Sequence, residues 1–255
     1  MESSLLIRAR EILKILKDTF SIPSFSEVSG DPFKVLIRTI ISQSTAEVNT
    51  RRAFERLLRK VQPFTPARLA ETEDRDIEEA LRVAGLYKNK TAVIKRVSSI
   101  ILEEFNGELD FIYSLPLNEA REKLLRLPGV GPKTADILLL FCAKRPVLPI
   151  DTHVNRVSKR LGLVPMGERR YDAIRSRLEG LYEPRDYFAV HMLFIALGRT
   201  FCKALKPLCS KCPLMKLCPS AGEHSGRDLQ QSRSHYLSHQ ALFAPHEPLK
   251  KSFQY

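Results

Sequence analysis

Long apolar stretches are absent from this 255-residue sequence. None reaches the roughly 18–20 residues that a helix needs to cross a lipid bilayer. The first twenty residues, MESSLLIRAREILKILKDTF, carry charges throughout their apolar stretch and do not resemble a secretory signal. We therefore expect an intracellular location: cytoplasm or nucleoid in a prokaryote, nucleus or mitochondrion in a eukaryote. Structural disulfides are rare in such compartments.

Strand patterns are also nearly absent. The one extended candidate, RPVLPI at residues 145–150, contains two prolines, which favour a connector over a strand. Helical periodicity dominates instead, beginning with an apolar stripe that includes Ala9, Ile12 and Leu16. Further helices are predicted at 32–44, 46–61, 67–71, 74–83, 88–105, 117–126, 133–143, 152–161, 170–181 and 185–198. The pattern predicts an all-α protein with short loops.

Acidic residues are in deficit. The 41 lysines and arginines exceed the 29 aspartates and glutamates, which gives a formal net charge of +12. Such a balance suits a polyanionic partner, either nucleic acid or an acidic membrane surface. A basic protein that is merely soluble is the alternative at this point.

A turn rich in glycine lies inside LRLPGVGPKTADILLL, residues 125–140. One predicted helix ends just before Pro128, and Pro132 is a favoured first-turn residue of the next. Gly129 and Gly131 permit positive φ and leave no side chain in the way of an approaching surface. The N–H groups of Gly129, Val130 and Gly131 can then face a phosphate, as in a helix-hairpin-helix motif. A tight turn without a ligand is the alternative.

Lys133 and Asp151 are the candidate catalytic pair. Lys133 falls in the first turn of the second hairpin helix, where the helix dipole disfavours a cation. A neutral lysine is a nucleophile, although a phosphate contact is equally consistent with this location. Asp151, in PIDTHVNRV, precedes a helical pattern and can cap it. It can also stabilise positive charge that develops on a sugar. His153, nearby, is interpreted as a structural hydrogen-bonding residue.

Four cysteines, Cys202, Cys209, Cys212 and Cys218, lie within seventeen residues. Zinc sites usually use two separated CxxC pairs, whereas this segment has one CxxC flanked by single cysteines. The spacing favours an iron–sulfur cluster over zinc and leaves zinc as the alternative. The fifth cysteine, Cys142, lies in an apolar run and is interpreted as a core residue.

Taken in order, these motifs resemble the endonuclease III family of DNA base-excision glycosylases. LPGVGPKTAD, PIDTHVNRV and the cysteine pattern carry the resemblance, with SQSTAEVNT (42–50), GLYKNK (85–90) and ALGRTFC in support. It covers roughly residues 5–218. The resemblance implies two all-α lobes, which are a six-helix lobe of residues 25–145 and a cluster lobe of residues 1–24 and 146–218. Residues 219–255, rich in serine, histidine and glutamine, are predicted to form a flexible tail.

The resemblance also implies a reaction. Neutral Lys133 attacks C1′ of a flipped nucleotide and expels a damaged, oxidised pyrimidine. The Schiff base that results permits β-elimination, which cuts the strand 3′ to the site, and Asp151 supports both steps. The implied partner is double-stranded DNA with damaged bases or abasic sites, bound by a monomer, and no membrane partner is implied.

Further site residues follow from the same resemblance. Gln43 and Leu86 match positions that fill the vacated stack and probe the opposite base. The four cysteines, Cys202, Cys209, Cys212 and Cys218, would hold a [4Fe–4S] cluster that is structural and not the catalyst. Lys133 disfavours the adenine-specific branch, and no glutamate lies between Glu27 and Glu47. A uracil or thymine mismatch glycosylase acting opposite guanine is the alternative, and a non-catalytic DNA-binding module is a third hypothesis.

Overall fold

The computed structural model describes residues 2–24 and 30–222, and these residues divide into two compact units. The inserted unit comprises residues 30–145. The discontinuous unit comprises residues 2–24 together with 146–222, so that the chain enters it, leaves it and returns. No helix in the described residues is long and apolar enough to cross a membrane.

Twelve α-helices are found in these described ranges. In chain order they are α1 (Glu2–Thr19), α2 (Pro32–Ser42), α3 (Glu47–Lys60), α4 (Pro66–Glu71), α5 (Asp74–Leu81), α6 (Tyr87–Phe105), α7 (Phe111–Ser114), α8 (Leu117–Arg126), α9 (Pro132–Phe141), α10 (Thr152–Arg160), α11 (Tyr171–Glu179) and α12 (Tyr187–Thr200). Short 3-10 turns occur at Arg82–Ala84, Pro184–Asp186 and Cys209–Lys211.

Local sequence explains where several helices begin and end. Asp31 caps α2, since its Oδ1 accepts from the Lys34 N–H at 2.8 Å, and Pro32 occupies the first turn. Thr65 caps α4 through a bond from the Arg68 N–H. At its other end, α6 stops at Asn106, whose φ of 53° is the left-handed conformation common at helix ends. These caps provide partners for terminal backbone N–H and carbonyl groups that have none within the helix.

Each unit buries its own apolar residues. In the inserted unit, Leu36 and Ile40 of α2, Ile94 of α6 and Leu138 of α9 are at most 1% exposed. In the discontinuous unit, one core cluster joins α1, α10, α11 and α12, and it contains the predicted N-terminal stripe. Helix α1 therefore packs with residues that follow it by more than a hundred positions.

The predicted fold class is confirmed, because the part of the chain that the structure describes contains helices and no strand. Residues 145–150 form a connector, as predicted. Helix α7 was not predicted. Residues 219–222, which the sequence analysis assigned to a tail, are described, and Ala221 is 7% exposed. The remainder of the predicted tail, 223–255, lies outside the described residues, as do residues 25–29.

Candidate active site

The hairpin predicted at residues 127–131 connects α8 to α9. Leu127 ends α8, and the Val130 N–H donates to its carbonyl at 3.1 Å, which closes the turn. The side-chain amide of Gln43 donates to the Gly129 carbonyl at 2.9 Å. The hairpin is thus attached to the end of α2, where Gln43 lies.

The two hairpin glycines serve different purposes. Gly129 has a φ of 76°, and a Cβ placed on it would come within 2.5 Å of Cγ1 of Val93. Gly131 has an ordinary extended backbone, with φ −95° and ψ 178°, and a Cβ there would meet nothing within 4 Å. Positive φ, which the sequence permits at both glycines, is thus used by Gly129 and not by Gly131. Its missing side chain leaves open space in front of α9 and provides no cap for the helix.

Lys133 is half-buried at the second residue of α9, where the sequence placed it. One turn later Asp136 is completely buried, and its Oδ1 accepts from Nε of Arg121 at 2.7 Å. Arg121 belongs to α8, so this ion pair joins the two hairpin helices. Sequence reasoning missed the pair, although an aspartate inside the run TADILLL was a signal for it.

Gln43 and Leu86 lie on two loops of the inserted unit. Gln43 is exposed at the end of α2, and the following Ser44 has a φ of 53°. Leu86 is 62% exposed and has a φ of 47° at the start of α6. The Thr45 hydroxyl donates to the Ala84 carbonyl at 2.6 Å and joins the loops. An exposed leucine in a strained conformation fits a residue that acts on a partner.

Sequence reasoning also missed Lys90, which lies beneath these two loops and is only 5% exposed. The quoted motif GLYKNK contains it. Nothing in the periodicity distinguishes it from its exposed neighbour Lys88, because a lysine reads as a surface residue in any pattern.

Asp151 belongs to the discontinuous unit, where it caps α10 as the sequence predicted. Its Oδ1 accepts from the Val154 N–H at 2.7 Å, which fixes the orientation of the half-buried carboxylate. His153 packs on α12, with its Nδ1 2.7 Å from the position of a Cβ on Gly198. Burial lowers the pKa of His153, and the charges of Arg156 and Arg199 act in the same direction. This arrangement supports the structural interpretation of His153.

The cysteine loop, residues 202–218, is attached to α10 by two arginines. Arg156 donates through Nε to the Cys202 carbonyl at 3.0 Å. Arg160 donates to the carbonyls of Lys203 and Ala204, and its Nη1 lies 3.5 Å from Sγ of Cys202. The two guanidinium groups thus hold the first part of the loop through its backbone.

The four cysteines of this loop line one cavity of about 400 Å³, which includes space open to solvent. Burial, with the charges of the other three cysteines acting in the same direction, raises the pKa of Cys212 to about 11. Within the described residues, no three cysteine, histidine or acidic side chains are gathered to hold a metal ion. Cys142 lies apart, 9% exposed, and burial raises its pKa to about 12, as suits a core thiol.

Comparison with known families decides what kind of protein carries this site. The model of the HhH-GPD superfamily of base excision DNA repair proteins matches residues 37–184. The chain belongs to this superfamily. The matched residues contain the hairpin, Lys133 and Asp151, and the cysteine loop follows them.

Relatives within the HhH-GPD superfamily are similar over most of their length. An endonuclease III of Thermotoga maritima is 36% identical over 191 residues, which cover 74% of this chain and 83% of the relative. An endonuclease III of Sulfolobus acidocaldarius is 32% identical over 216 residues, or 85% of this chain and 94% of the relative.

A solved structure gives the same assignment. A trapped covalent intermediate of an endonuclease III with DNA is similar, with a TM-score of 0.74 and 28% identity over 88% of this chain and 99% of that one. The resemblance to endonuclease III and the all-α fold are both confirmed. The chain is thus a base-excision repair enzyme with DNA as its partner. The roles of individual side chains stay predictions.

Proposed function

We propose that this protein is a DNA glycosylase with abasic-site lyase activity that removes oxidised pyrimidines. The observation that carries the proposal is Lys133, half-buried in the first turn of α9 directly after the hairpin. A relative with this fold forms a covalent intermediate with DNA, and an amine in this position is a suitable nucleophile.

The proposed reaction begins with a neutral Lys133. Its Nζ lone pair forms a bond to C1′ of the damaged nucleotide, and the bond from C1′ to the base nitrogen breaks with its electron pair on the leaving base. Opening of the sugar ring gives a Schiff base between Nζ and C1′. Loss of a C2′ proton then expels the 3′ phosphate by β-elimination, and water releases the lysine.

Asp151 is the proposed partner of Lys133 in this sequence. Its carboxylate would stabilise the positive charge that develops on the sugar and assist the proton transfers. The bond from the Val154 N–H gives the carboxylate a fixed orientation, which favours such a role. Capping engages one oxygen and is compatible with catalysis by the other.

The DNA contacts are proposed from the open surface of the hairpin and the two loops. The backbone N–H groups of residues 129–131 would hold a phosphate, for which the open side of Gly131 leaves space. Gln43 and Leu86, both exposed, would enter the duplex where the damaged nucleotide has left it. The excess of basic residues would supply affinity independent of sequence.

The four cysteines are the proposed ligands of a [4Fe–4S] cluster, which would stabilise the loop that carries them. The donor set fits, because four thiols line one cavity. Zinc sites usually use two separated CxxC pairs, whereas this loop has one CxxC flanked by single cysteines, a spacing that favours the cluster over zinc. Absorption by iron–thiolate bonds in freshly purified protein, with iron and zinc analysis, tests this assignment.

Borohydride trapping tests the lyase proposal. Wild-type protein incubated with duplex DNA that contains an oxidised pyrimidine should give a covalent adduct, because borohydride reduces the Schiff base. Lys133→Ala should lose the adduct, while Lys95→Ala, which changes a partly exposed lysine paired with Asp74, should retain it. Full trapping by Lys133→Ala would contradict the role of Lys133. Base release without strand cleavage by the wild type would favour the mismatch glycosylase instead.

A further inference from the structure

Lys90 is a buried amine for which the proposed reaction has no use. Its side chain is 5% exposed, and its Nζ donates three hydrogen bonds. The acceptors are the Ile41 carbonyl at 2.8 Å, the Thr45 hydroxyl at 2.5 Å and the Ala84 carbonyl at 3.0 Å. Three acceptors match the three donors of a lysine ammonium.

These acceptors come from the two loops that carry Gln43 and Leu86. Ile41 lies two residues before Gln43, and Thr45 lies two residues after it. Ala84 lies two residues before Leu86 and ends the 3-10 turn Arg82–Ala84. A single amine therefore holds both sides of the Gln43 loop and one side of the Leu86 loop.

Both loops contain strained backbone close to these anchors. Ser44 and Leu86 have φ values of 53° and 47°, and neither is a glycine. Each such residue costs about 1–3 kcal/mol and persists only where the surroundings fix it. Lys90 and the Thr45 hydroxyl supply contacts of this kind immediately beside the strained residues.

The chemistry of this contact argues against simple space filling. All three acceptors of Lys90 are uncharged, so no carboxylate compensates its burial among the described residues. Burial accordingly lowers its pKa. An apolar residue of the same size would fill this space without the cost of burying an amine. An apolar side chain could not donate hydrogen bonds to the carbonyls of Ile41 and Ala84, which belong to two separate loops.

We propose that Lys90 is a positioning residue that fixes the spacing of Gln43 and Leu86, so that both enter the damaged duplex together. The inference rests on the proposed function, in which these side chains replace the flipped nucleotide. It assigns to Lys90 a part in recognising damage within duplex DNA, with no part in the chemistry at C1′.

The first test compares Lys90→Met with Lys95→Met, which lies on the same helix at the surface. On duplex DNA with an oxidised pyrimidine, Lys90→Met should lower kcat/KM on the order of 10- to 100-fold, as expected when buried hydrogen bonds are lost. Cleavage of a single-stranded abasic site needs no insertion and should change less than about twofold. Lys95→Met should keep both rates. Equal losses on both substrates for Lys90→Met would overturn the proposal.

The second test asks whether Lys90 acts through the two side chains. In a Gln43→Ala/Leu86→Ala background, Lys90→Met should cause little further loss on duplex DNA, because coupled residues are not additive. Thr45→Val removes one acceptor of Lys90 and keeps its two carbonyl contacts, so this variant should show a smaller part of the duplex defect. It replaces Lys90→Met in this test if Lys90→Met folds poorly. Fully additive losses would contradict action through Gln43 and Leu86.

Hydrogen exchange tests, without any catalytic readout, whether Lys90 holds the two loops together. Amides of residues 42–45 and 84–86 should exchange faster in Lys90→Met than in Lys95→Met, while α10 and α12 should be unchanged. This result separates two failures. If wild-type protein released no base but the two loops exchanged faster in Lys90→Met, the proposed function would be wrong. The positioning of the loops by Lys90 would still be correct. Unchanged exchange in both loops would overturn this positioning itself.

Discussion

The hairpin of the inserted unit and the cysteine loop of the discontinuous unit are held in different ways. In the hairpin, Gly129 packs against Val93, and the buried pair Arg121–Asp136 joins its two helices. Among residues 202–218, only Leu214 is buried, and two arginines hold the loop through its backbone. The hairpin is thus formed by protein contacts alone, whereas we propose that the loop depends on the cluster that its thiols would bind.

The largest expected effect breaks the loop side of this comparison. Cys212→Ala should lose nearly all bound iron and leave residues 202–218 open to protease. Substitution of a residue that hydrogen-bonds a metal ligand typically lowers metal affinity roughly 10–100-fold, and loss of the ligand itself should lower it more. Iron content and absorption measure the effect. Cys142→Ala is the matched control, because Cys142 is the cysteine outside the loop, and it should keep its iron.

The next largest effect concerns the hairpin. Arg121→Met removes the cation beside a fully buried carboxylate and should destabilise the inserted unit by about 3–5 kcal/mol. Urea unfolding and hydrogen exchange of α8 and α9 measure it. Arg121→Met/Asp136→Leu should recover much of the loss. Lys95→Met, which breaks a surface pair, should cost about 1 kcal/mol or less. Equal losses of unfolding free energy in Arg121→Met and Lys95→Met would argue that the Arg121–Asp136 pair does not stabilise the hairpin.

The two glycines sharpen the comparison within the hairpin itself. Gly129→Ala should cost about 1–3 kcal/mol, since its φ is positive and a methyl group would clash with Val93. Gly131→Ala should change stability by about 0.5 kcal/mol or less. Its methyl group would occupy the open space in front of α9, so this variant should instead weaken DNA binding in a fluorescence anisotropy titration. A larger stability loss for Gly131→Ala than for Gly129→Ala would contradict the different roles assigned to the two glycines.

The smallest effect is a pH dependence from His153. Its pKa lies below 6.5 in the folded protein, chiefly through burial, so the unfolded chain binds more protons as the pH falls through this value. The stability contributed by neutral His153 is complete above about pH 6.5 and is lost as the pH falls toward the folded pKa. Between about pH 7.5 and 5.5, wild-type protein should lose slightly more thermal stability than His153→Gln. An equal loss in the two proteins would contradict this sign.

Much of the fold could be predicted because apolar periodicity records which side of a helix is buried. The segment 117–126 was predicted with the bounds that α8 has, and Asp151 caps α10 as its sequence indicates. Helix α7, of four residues, is too short for a period to be visible. The hairpin was found because glycine and proline punctuate the chain strongly.

The contacts of charged residues were the part that sequence could not supply. Lys90 binds acceptors at positions 41, 45 and 84, and only the folded chain brings these together. The sequence does not distinguish Gly131 from Gly129, yet only Gly129 has a positive φ and lies against a neighbouring side chain. Such differences depend on a side chain such as Val93, whose position no local motif encodes.

The division of the discontinuous unit has a consequence for synthesis on the ribosome. Helix α1 is made before the inserted unit, and its partners in the core cluster follow only after residues 30–145 have been made. At about 5–20 residues per second, that interval is on the order of ten seconds. At its end, the inserted unit has all its residues and can fold, whereas Ile12 and Leu16 still have no core to join. Arrested nascent chains ending at Arg145 should therefore be cleaved within α1 by protease, and chains that extend past Gly222 should resist.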